Sequence, residues 1–376
     1  MLNVPRCFLM AGGGTGGHVL PALAVARELQ RRGHRVLFVG TRRGMEARLA
    51  PAAGFEIEWI EIGGLKRVGA IQSVRTLAQL PASVFKALSL IRRHRPAAVF
   101  STGGFAGGPV MLAGWLSRTP LVVMEPNVIP GFTNRHLAPL VARALVSFPE
   151  TARWFPRGRS EVTGLPVRRE FFALPPKPPG ETLAVLITGG SQGARTLNRA
   201  ARESWELFAA APFSVELIHQ CGRDMWEDLS RGFQATGLAG EVTPFIDDMP
   251  AAFRRADLVV CRAGAGAVAE LAAAGKPSIL VPFPYAADDH QLRNAEAFVR
   301  EGAARLVLDR EFTGRRLFDE VAALAAGREA LARMGDRARA LARPGAAERA
   351  ADWLEELAGG RASIDIAVEV RNNNKG

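Results

Sequence analysis

The run Ala11-Gly-Gly-Gly-Thr-Gly-Gly-His18 constrains this chain more than any other stretch. It follows the short apolar segment Cys7-Phe-Leu-Met10 and leads into an amphipathic pattern over residues 19–32. A strand that ends in glycines and turns directly into a helix leaves backbone N–H groups unpaired at the helix start, where the dipole also favours negative charge. Such a turn is an anion seat. Its glycines allow positive φ and close approach of a diphosphate, Thr15 adds a hydroxyl, and His18 falls on the first helical turn facing the same opening. The device recurs at Thr188-Gly-Gly-Ser-Gln-Gly-Ala194, after the strand-like Leu183-Ala-Val-Leu-Ile187. Two seats about half a chain apart predict two similar domains facing one cleft.

At 376 residues the chain is longer than one ordinary domain. Apolar runs at 6–11, 35–40, 55–62, 97–101, 121–124 and 143–147 read as strands, several of them continuous as in buried parallel sheets. Helical patterns at 19–32, 71–93 and 108–116 lie between them. The second half repeats the alternation, with strands predicted at 183–187, 213–220, 241–245, 257–261, 277–281 and 304–308. The expected class is therefore α/β, doubly wound, twice over. Pro-rich residues 174–180 read as a linker or hinge, 327–343 and 346–357 as long terminal helices, and the tail from Gly359 as frayed.

The charge balance narrows the partners. Lys and Arg exceed Asp and Glu by 48 to 37, a net +11, while apolar content (48%) is ordinary. Scattered arginines on helix patterns suit a solvated surface, and an anionic partner is the sharper reading: membrane lipid, nucleotide or, weakest, nucleic acid. One Tyr and no interleaving of aromatic with basic residues argue against RNA. Cys7, Cys221 and Cys261 sit in or beside apolar runs at spacings that suit neither zinc nor a disulfide framework, so buried thiols are expected. Arg6, an apolar stretch and Ala24-Val-Ala26 imitate a secretion signal, but the glycines and His18 interrupt its core. With no window of about 18 uninterrupted apolar residues, membrane contact is expected to be peripheral.

Gly12, Gly14 and Gly17 fit the spacing of a dinucleotide fingerprint, yet the second strand ends in Gly40-Thr-Arg-Arg43 where a ribose-binding acid would stand. No Lys-Ser/Thr pair closes either glycine loop, which removes the P-loop reading. Ser101-Thr-Gly-Gly-Phe-Ala-Gly-Gly-Pro109 and Cys261-Arg-Ala-Gly-Ala-Gly-Ala-Val-Ala-Glu270 are further strand-to-helix glycine turns. Beside a nucleotide, Glu270 is suited to accept both ribose hydroxyls. Asp288-Asp-His-Gln291 with Asn294 places polar groups at a helix head, where Asp is an ordinary cap. The acidic pairs Asp247-Asp248 and Asp288-Asp289 do not form a D-x-D triplet, so no metal is expected.

Taken together, Gly12-Gly-Gly-Thr-Gly-Gly-His18, Ser101-Thr-Gly-Gly104, Glu125-Pro-Asn127, Gly189-Gly-Ser-Gln-Gly193, Phe245-Ile-Asp-Asp-Met249, Cys261-Arg-Ala-Gly264 with Glu270, and Asp289-His-Gln291 with Asn294 closely resemble glycosyltransferase family 28. Within it the likeness is to the peripheral-membrane N-acetylglucosaminyltransferases that complete lipid II. It runs in order over about residues 5 to 358. The resemblance implies a GT-B fold of two Rossmann-like domains: 1–163 for acceptor and membrane, 164–343 for the UDP-sugar donor, a helix at about 344–358 crossing back, and a disordered tail at 359–376. It implies transfer of N-acetylglucosamine from UDP-GlcNAc to the 4-hydroxyl of the muramoyl sugar of lipid I, inverting, with no metal or cofactor. A GT-B enzyme for another lipid acceptor such as diacylglycerol, or a nucleotide-sugar-binding regulator without turnover, are the alternatives.

By that likeness His18 is the general base. The donor falls to Thr15, Gly16, Gly17, Asn127, Arg168, Ser191, Gln192, Gly193, Ile246, Ala263, Gly264, Ala265, Glu270, Gln291 and Asn294, with Ile246 reading uracil and Glu270 the ribose. The acceptor diphosphate falls to Gly13, Gly14, Thr15, Gly16, Gly17, Gly103 and Gly104. A basic-rimmed apolar patch of Leu65, Lys66, Arg67, Ile71, Arg75, Leu77, Leu80, Phe85 and Trp115 would rest on an anionic membrane at the cytoplasmic face of the inner membrane. Cell-wall or division proteins are implied as possible partners. The family often has Asn at the position of Leu165 and Ser at that of Ala263, so only backbone roles carry over there.

Overall fold

The computed structural model describes residues 4–14, 16–63, 70–177 and 180–373, and the chain divides into two compact units. Unit 1 takes residues up to Pro166 and again from Gly345, and unit 2 takes Val167–Pro344.

In unit 1, strands β1 (Cys7–Gly12), β2 (Arg35–Gly40), β3 (Glu56–Trp59), β4 (Ala98–Gly103), β5 (Leu121–Glu125), β6 (Arg143–Val146) and β7 (Ser160–Val162) form one seven-stranded sheet in the order β3-β2-β1-β4-β5-β6-β7. Every adjacent pair is parallel. Helices α1 (Gly16–Arg31), α2 (Glu46–Ala52), α3 (Ala70–His94), α4 (Gly104–Leu116) and α5 (Phe132–Leu137) connect them. β4 and β5 are buried along their whole length, which is why Ala98–Phe100 and Leu121–Met124 read as apolar runs.

In unit 2, α6 (Arg169–Phe172) precedes a six-stranded sheet in the order β10-β9-β8-β11-β12-β13. Its strands are β8 (Leu183–Thr188), β9 (Val215–Gln220), β10 (Ala239–Thr243), β11 (Leu258–Cys261), β12 (Ser278–Leu280) and β13 (Ala304–Leu306). All pairs are again parallel. The helices are α7 (Arg195–Ala209), α8 (Trp226–Gln234), α9 (Met249–Arg255), α10 (Ala265–Ala274), α11 (His290–Arg300), α12 (Gly314–Ala326) and α13 (Arg328–Ala340). The two units thus share one winding scheme, the doubly wound α/β pattern that the alternation predicted.

The last helix, α14 (Ala346–Asn373), belongs to unit 1, where it packs on α1. Arg32 pairs with Asp352 and Glu355 at 2.7 Å, the buried His34 Nε2 meets Glu355 at 2.7 Å, and Arg349 grips Glu161 with both ends of its fork. Trp353 Nε1 donates to the same Glu161 at 2.6 Å while Arg143 lies over the Trp353 ring. Bidentate and ring-stacked arginines are the strong form of surface pairing, which gives a helix of modest apolar character a defined seat.

Several expectations change. The helix runs past Gly359, where the composition predicted an end; paired glycines cost about 1 kcal/mol each in a helix but do not forbid it, and no proline follows. The Pro-rich stretch does not carry the passage between units, which comes earlier, at Pro166. It is fastened to unit 2: Leu174 is buried, its carbonyl accepts from Arg339, and Lys177 Nζ bonds the Arg255 carbonyl and Asp257. β7 was not anticipated, because a three-residue edge strand with a polar start carries no periodic signal. α4 begins at Gly104 rather than at residue 108, since glycine-rich residues 103–108 hide a helix start from propensity.

Candidate functional site

In an all-parallel sheet every loop that follows a strand lies on one edge, and the crevice opens where the winding reverses. In unit 1 that point lies between β1 and β4, so the turn after Gly12 and the turn at Gly103 flank it. The two glycine loops touch: a Cβ on Gly104 would collide with the Gly13 carbonyl oxygen. Gly103 and Gly104 have φ of +87° and +77°, a left-handed pair that an L side chain resists. Thr102 Oγ1 donates to the His18 carbonyl at 2.8 Å, tying the first turn of α1 to β4. His18, partly exposed on that turn, therefore stands at the switch point with Gly16 and Gly17.

Neighbouring polar groups were not all legible. Glu125, which ends β5, is buried and accepts from the Asn127 N–H (3.0 Å), Asn127 Nδ2 (3.2 Å), the Gly131 N–H (3.0 Å) and Asn134 Nδ2 (2.9 Å). Burial pushes its carboxyl up to about 7 against the pull of those donors. Asn127 is thereby oriented from behind. Glu46, also fully buried, accepts from the Gly14 N–H at 2.9 Å. The Gly14 N–H, counted among the groups for a diphosphate, is thus engaged within the protein. An acid closing an apolar strand hinted at Glu125, whereas nothing local marked Glu46 or Asn134. Thr15 lies outside the described residues.

In unit 2 the reversal falls between β8 and β11, flanked by the turns at 189–194 and 262–264. Gly190 and Gly193 take φ of +84° and +72°, and the Gly193 N–H donates to the Gly190 carbonyl at 2.8 Å, closing a tight turn that leaves Ser191 and Gln192 exposed at its tip. Gly193 backs onto the Cys221 carbonyl so closely that a Cβ would collide. Thr188 Oγ1 and Gln220 brace the loop from below, with Gln220 Nε2 donating to the Gly190 carbonyl at 3.2 Å. His219, held well below its usual value at about 4 by burial, meets Asn198, whose amide secures the Cys221 carbonyl at 2.8 Å. These supports were missed because each pairs residues far apart in sequence.

The turn into α10 leaves open space above Gly264 and Gly266, while Asn294 is buried and donates to the Ala263 carbonyl at 3.2 Å. Asn294 is therefore a brace for the Ala263-Gly264-Ala265 backbone. Gln291 Oε1 accepts from the Phe283 N–H at 2.9 Å. Glu270, on α10, is raised to about 7 by burial, with the Arg168 guanidinium pulling the other way. Arg168 immediately precedes α6, and its guanidinium lies 5.0 Å from the Phe171 ring. Ile246 stands in the loop after β10, on the same sheet edge.

Asp248 caps α9 through the Ala251 N–H at 3.0 Å, and Asp288 and Asp289 form a left-handed turn into α11. Among the described residues no group of His, Cys, Asp and Glu could hold a metal ion. Cys221 and Cys261 are buried, Cys7 is partly so, and all three are free thiols. Of the expected membrane patch, Leu65, Lys66 and Arg67 lie outside the described residues, as do the side chains of Ile71, Arg75 and Leu77. Phe85 on α3 and Trp115 on α4 are exposed, and Leu80 is partly buried. No helix among the described residues is long and apolar enough to cross a membrane.

Residues 8–146 match the glycosyltransferase family 28 N-terminal domain, and residues 184–353 match the glycosyltransferase family 28 C-terminal domain. A UDP-N-acetylglucosamine--N-acetylmuramyl-(pentapeptide) pyrophosphoryl-undecaprenol N-acetylglucosamine transferase of Solibacter usitatus is 61% identical over 351 residues, 93% of this chain and 96% of that one. The transferase of the same name from Nitrosococcus oceani is 45% identical over 94% of this chain and 99% of its own. Among solved structures, Acinetobacter baumannii MurG superimposes with a TM-score of 0.81 at 33% identity, covering 94% of this chain and all of that one.

Proposed function

The chain belongs to glycosyltransferase family 28, and we propose that it moves N-acetylglucosamine from UDP-GlcNAc to the 4-hydroxyl of the muramoyl sugar of undecaprenyl-diphosphoryl-MurNAc-pentapeptide. The product is lipid II, the disaccharide precursor of peptidoglycan. One observation supports this reading: the glycine turn at Ser191–Gly193 and the turn that leads into α10, the helix carrying Glu270, follow β8 and β11 where the unit 2 winding reverses, in a chain 61% identical to a transferase named for that donor and acceptor.

In this reading unit 2 takes the donor. Ser191 and Gln192 meet the diphosphate charge that grows as UDP leaves, Glu270 accepts the ribose hydroxyls, Ile246 offers its backbone to uracil, and the Ala263-Gly264-Ala265 backbone and Gln291 hold the sugar, with Arg168 beside the nucleotide. Unit 1 takes the acceptor. Gly16 and Gly17 at the start of α1, with Gly103 and Gly104, receive its diphosphate, Asn127 reaches the donor's sugar, and His18 withdraws the proton of the 4-hydroxyl as the oxygen attacks the anomeric carbon from the face opposite UDP. The configuration inverts. The exposed Phe85 and Trp115 and the basic excess support peripheral contact with an anionic membrane, at its cytoplasmic face.

The test is UDP release. With UDP-GlcNAc and a lipid I analogue, release should depend on the acceptor; release with diacylglycerol but not the analogue, or tight UDP-GlcNAc binding without release, would overturn the assignment.

A second expectation follows from Glu270. Its carboxyl, raised to about 7, is mostly protonated at pH 6 and mostly ionised at pH 8. Only the carboxylate accepts both ribose hydroxyls, so UDP-GlcNAc affinity should rise by about tenfold over that interval. The diphosphodiester of the ligand has no proton to lose there. Calorimetric titration at the two pH values checks it, and Glu270→Gln should flatten the slope; a flat wild-type profile would remove the ribose role.

A further inference from the structure

We propose that Glu46 is a positioning residue for the acceptor half of the reaction, clasping Gly14 and thereby setting the turn from which α1 and His18 start. The proposal rests on the reading of unit 1 as the acceptor site. Gly14 is held at both backbone polar groups. Its N–H donates to Glu46 Oε2 at 2.9 Å, and its carbonyl accepts from the Met45 N–H at 3.3 Å. The other carboxylate oxygen, Oε1, accepts from the Thr41 N–H at 2.9 Å and the Thr41 hydroxyl at 3.1 Å, anchoring the clasp to the end of β2.

Room for this buried carboxylate is made by glycines. A Cβ on Gly13, Gly40 or Gly44 would run into the Glu46 side chain. Gly14 itself sits at φ +100°, a conformation that a side chain would strain. Charge-assisted bonds to backbone N–H groups in an interior are strong and directional, so the clasp selects one shape of the loop.

The arrangement also accounts for the absent ribose-binding acid at the end of β2. The acid comes later in the chain and turns inward, to the protein's own glycine loop. With the Gly14 N–H taken by Glu46, the acceptor diphosphate is left to the α1 N-terminus and to Gly103 and Gly104.

The experiment uses the full-length protein. Glu46→Gln keeps the shape but sets an amide NH₂ against the N–H of Gly14 or Thr41, donor against donor. Without any substrate, hydrogen exchange at the Gly14 amide should quicken at least about tenfold relative to wild type. In turnover, kcat/KM for a lipid I analogue should fall about 10- to 100-fold, the loss expected of a displaced catalytic turn, while the Kd of UDP-GlcNAc stays within about twofold. Glu46→Asp, one methylene short of Gly14, should give the same pattern if the Gln variant fails to fold.

Unchanged Gly14 exchange in a folded variant would overturn the clasp. Equal losses of donor affinity and acceptor turnover would reduce Glu46 to a general structural role and overturn the positioning claim. If the wild type itself does not turn over the analogue, the acceptor reading fails, and Gly14 exchange still decides the clasp.

Discussion

Replacing His18 with alanine is expected to lower kcat by about 10²–10⁴ while leaving UDP-GlcNAc affinity within about twofold, because general-base assistance is worth that much and the imidazole belongs to unit 1 whereas Ser191, Gln192 and Glu270, proposed to hold the nucleotide, belong to unit 2. The ring stands on the first turn of α1, whose carbonyl at His18 is fixed by the Thr102 hydroxyl at 2.8 Å. That bond positions the backbone, so truncating the side chain should not move the turn. The fall should therefore appear in kcat rather than in stability. Steady-state UDP release, calorimetry with UDP-GlcNAc and a thermal melt together separate these terms. An unchanged kcat would take the base role from His18; lost donor binding would mean that the variant had disturbed more than the proton transfer.

The second large effect is on stability. Glu125→Ala deletes the acceptor for the N–H groups of Asn127 and Gly131 and for the Asn127 and Asn134 amides. Breaking a buried, fully hydrogen-bonded acid leaves those donors in the interior without it, at a cost of about 3–5 kcal/mol. For a unit of this size the loss corresponds to a fall of about 10 °C in Tm.

The pH dependence has a definite sign. Glu125 is raised to about 7 in the folded state against 4.5 in a model peptide, so the folded protein binds its proton more tightly than the unfolded chain does. Stability contributed by this group is complete below about 4.5 and is lost as pH climbs through 7. The gap between wild type and Glu125→Ala should accordingly be wider at pH 6 than at pH 8. Melts of both proteins at the two pH values measure it, and a gap that widened with pH would contradict the raised carboxyl.

Much of the site was legible because its loops follow strands. Gly12–His18, Ser101–Gly104, Gly189–Gly193 and Ala263–Ala265 each announce themselves as apolar run, glycines and helix, and parallel pairing then puts the loops of each unit on one edge. The fate of individual groups was not legible. Gly14 and Gly193 both looked like donors for a ligand, yet the first gives its N–H to Glu46 and the second to Gly190. Glu125 stood in a recognisable motif without a role, since its work is done through Gly131 and Asn134, which the local pattern leaves unmarked.

The order of residues by itself determined the alternation of strand and helix, the doubling of the Rossmann-like unit and the placing of glycines where the chain must turn sharply. These follow from periodicity and from φ, which are properties of a few neighbouring residues. Tertiary structure alone decided which strand lies beside which, and which acids hold the glycine turn and orient Asn127. A buried carboxylate is defined by the donors that reach it: Glu125 is met by Asn127, Gly131 and Asn134 from the loop and helix that follow it, and Glu46 by Gly14 from a segment brought beside it only when the sheet is wound.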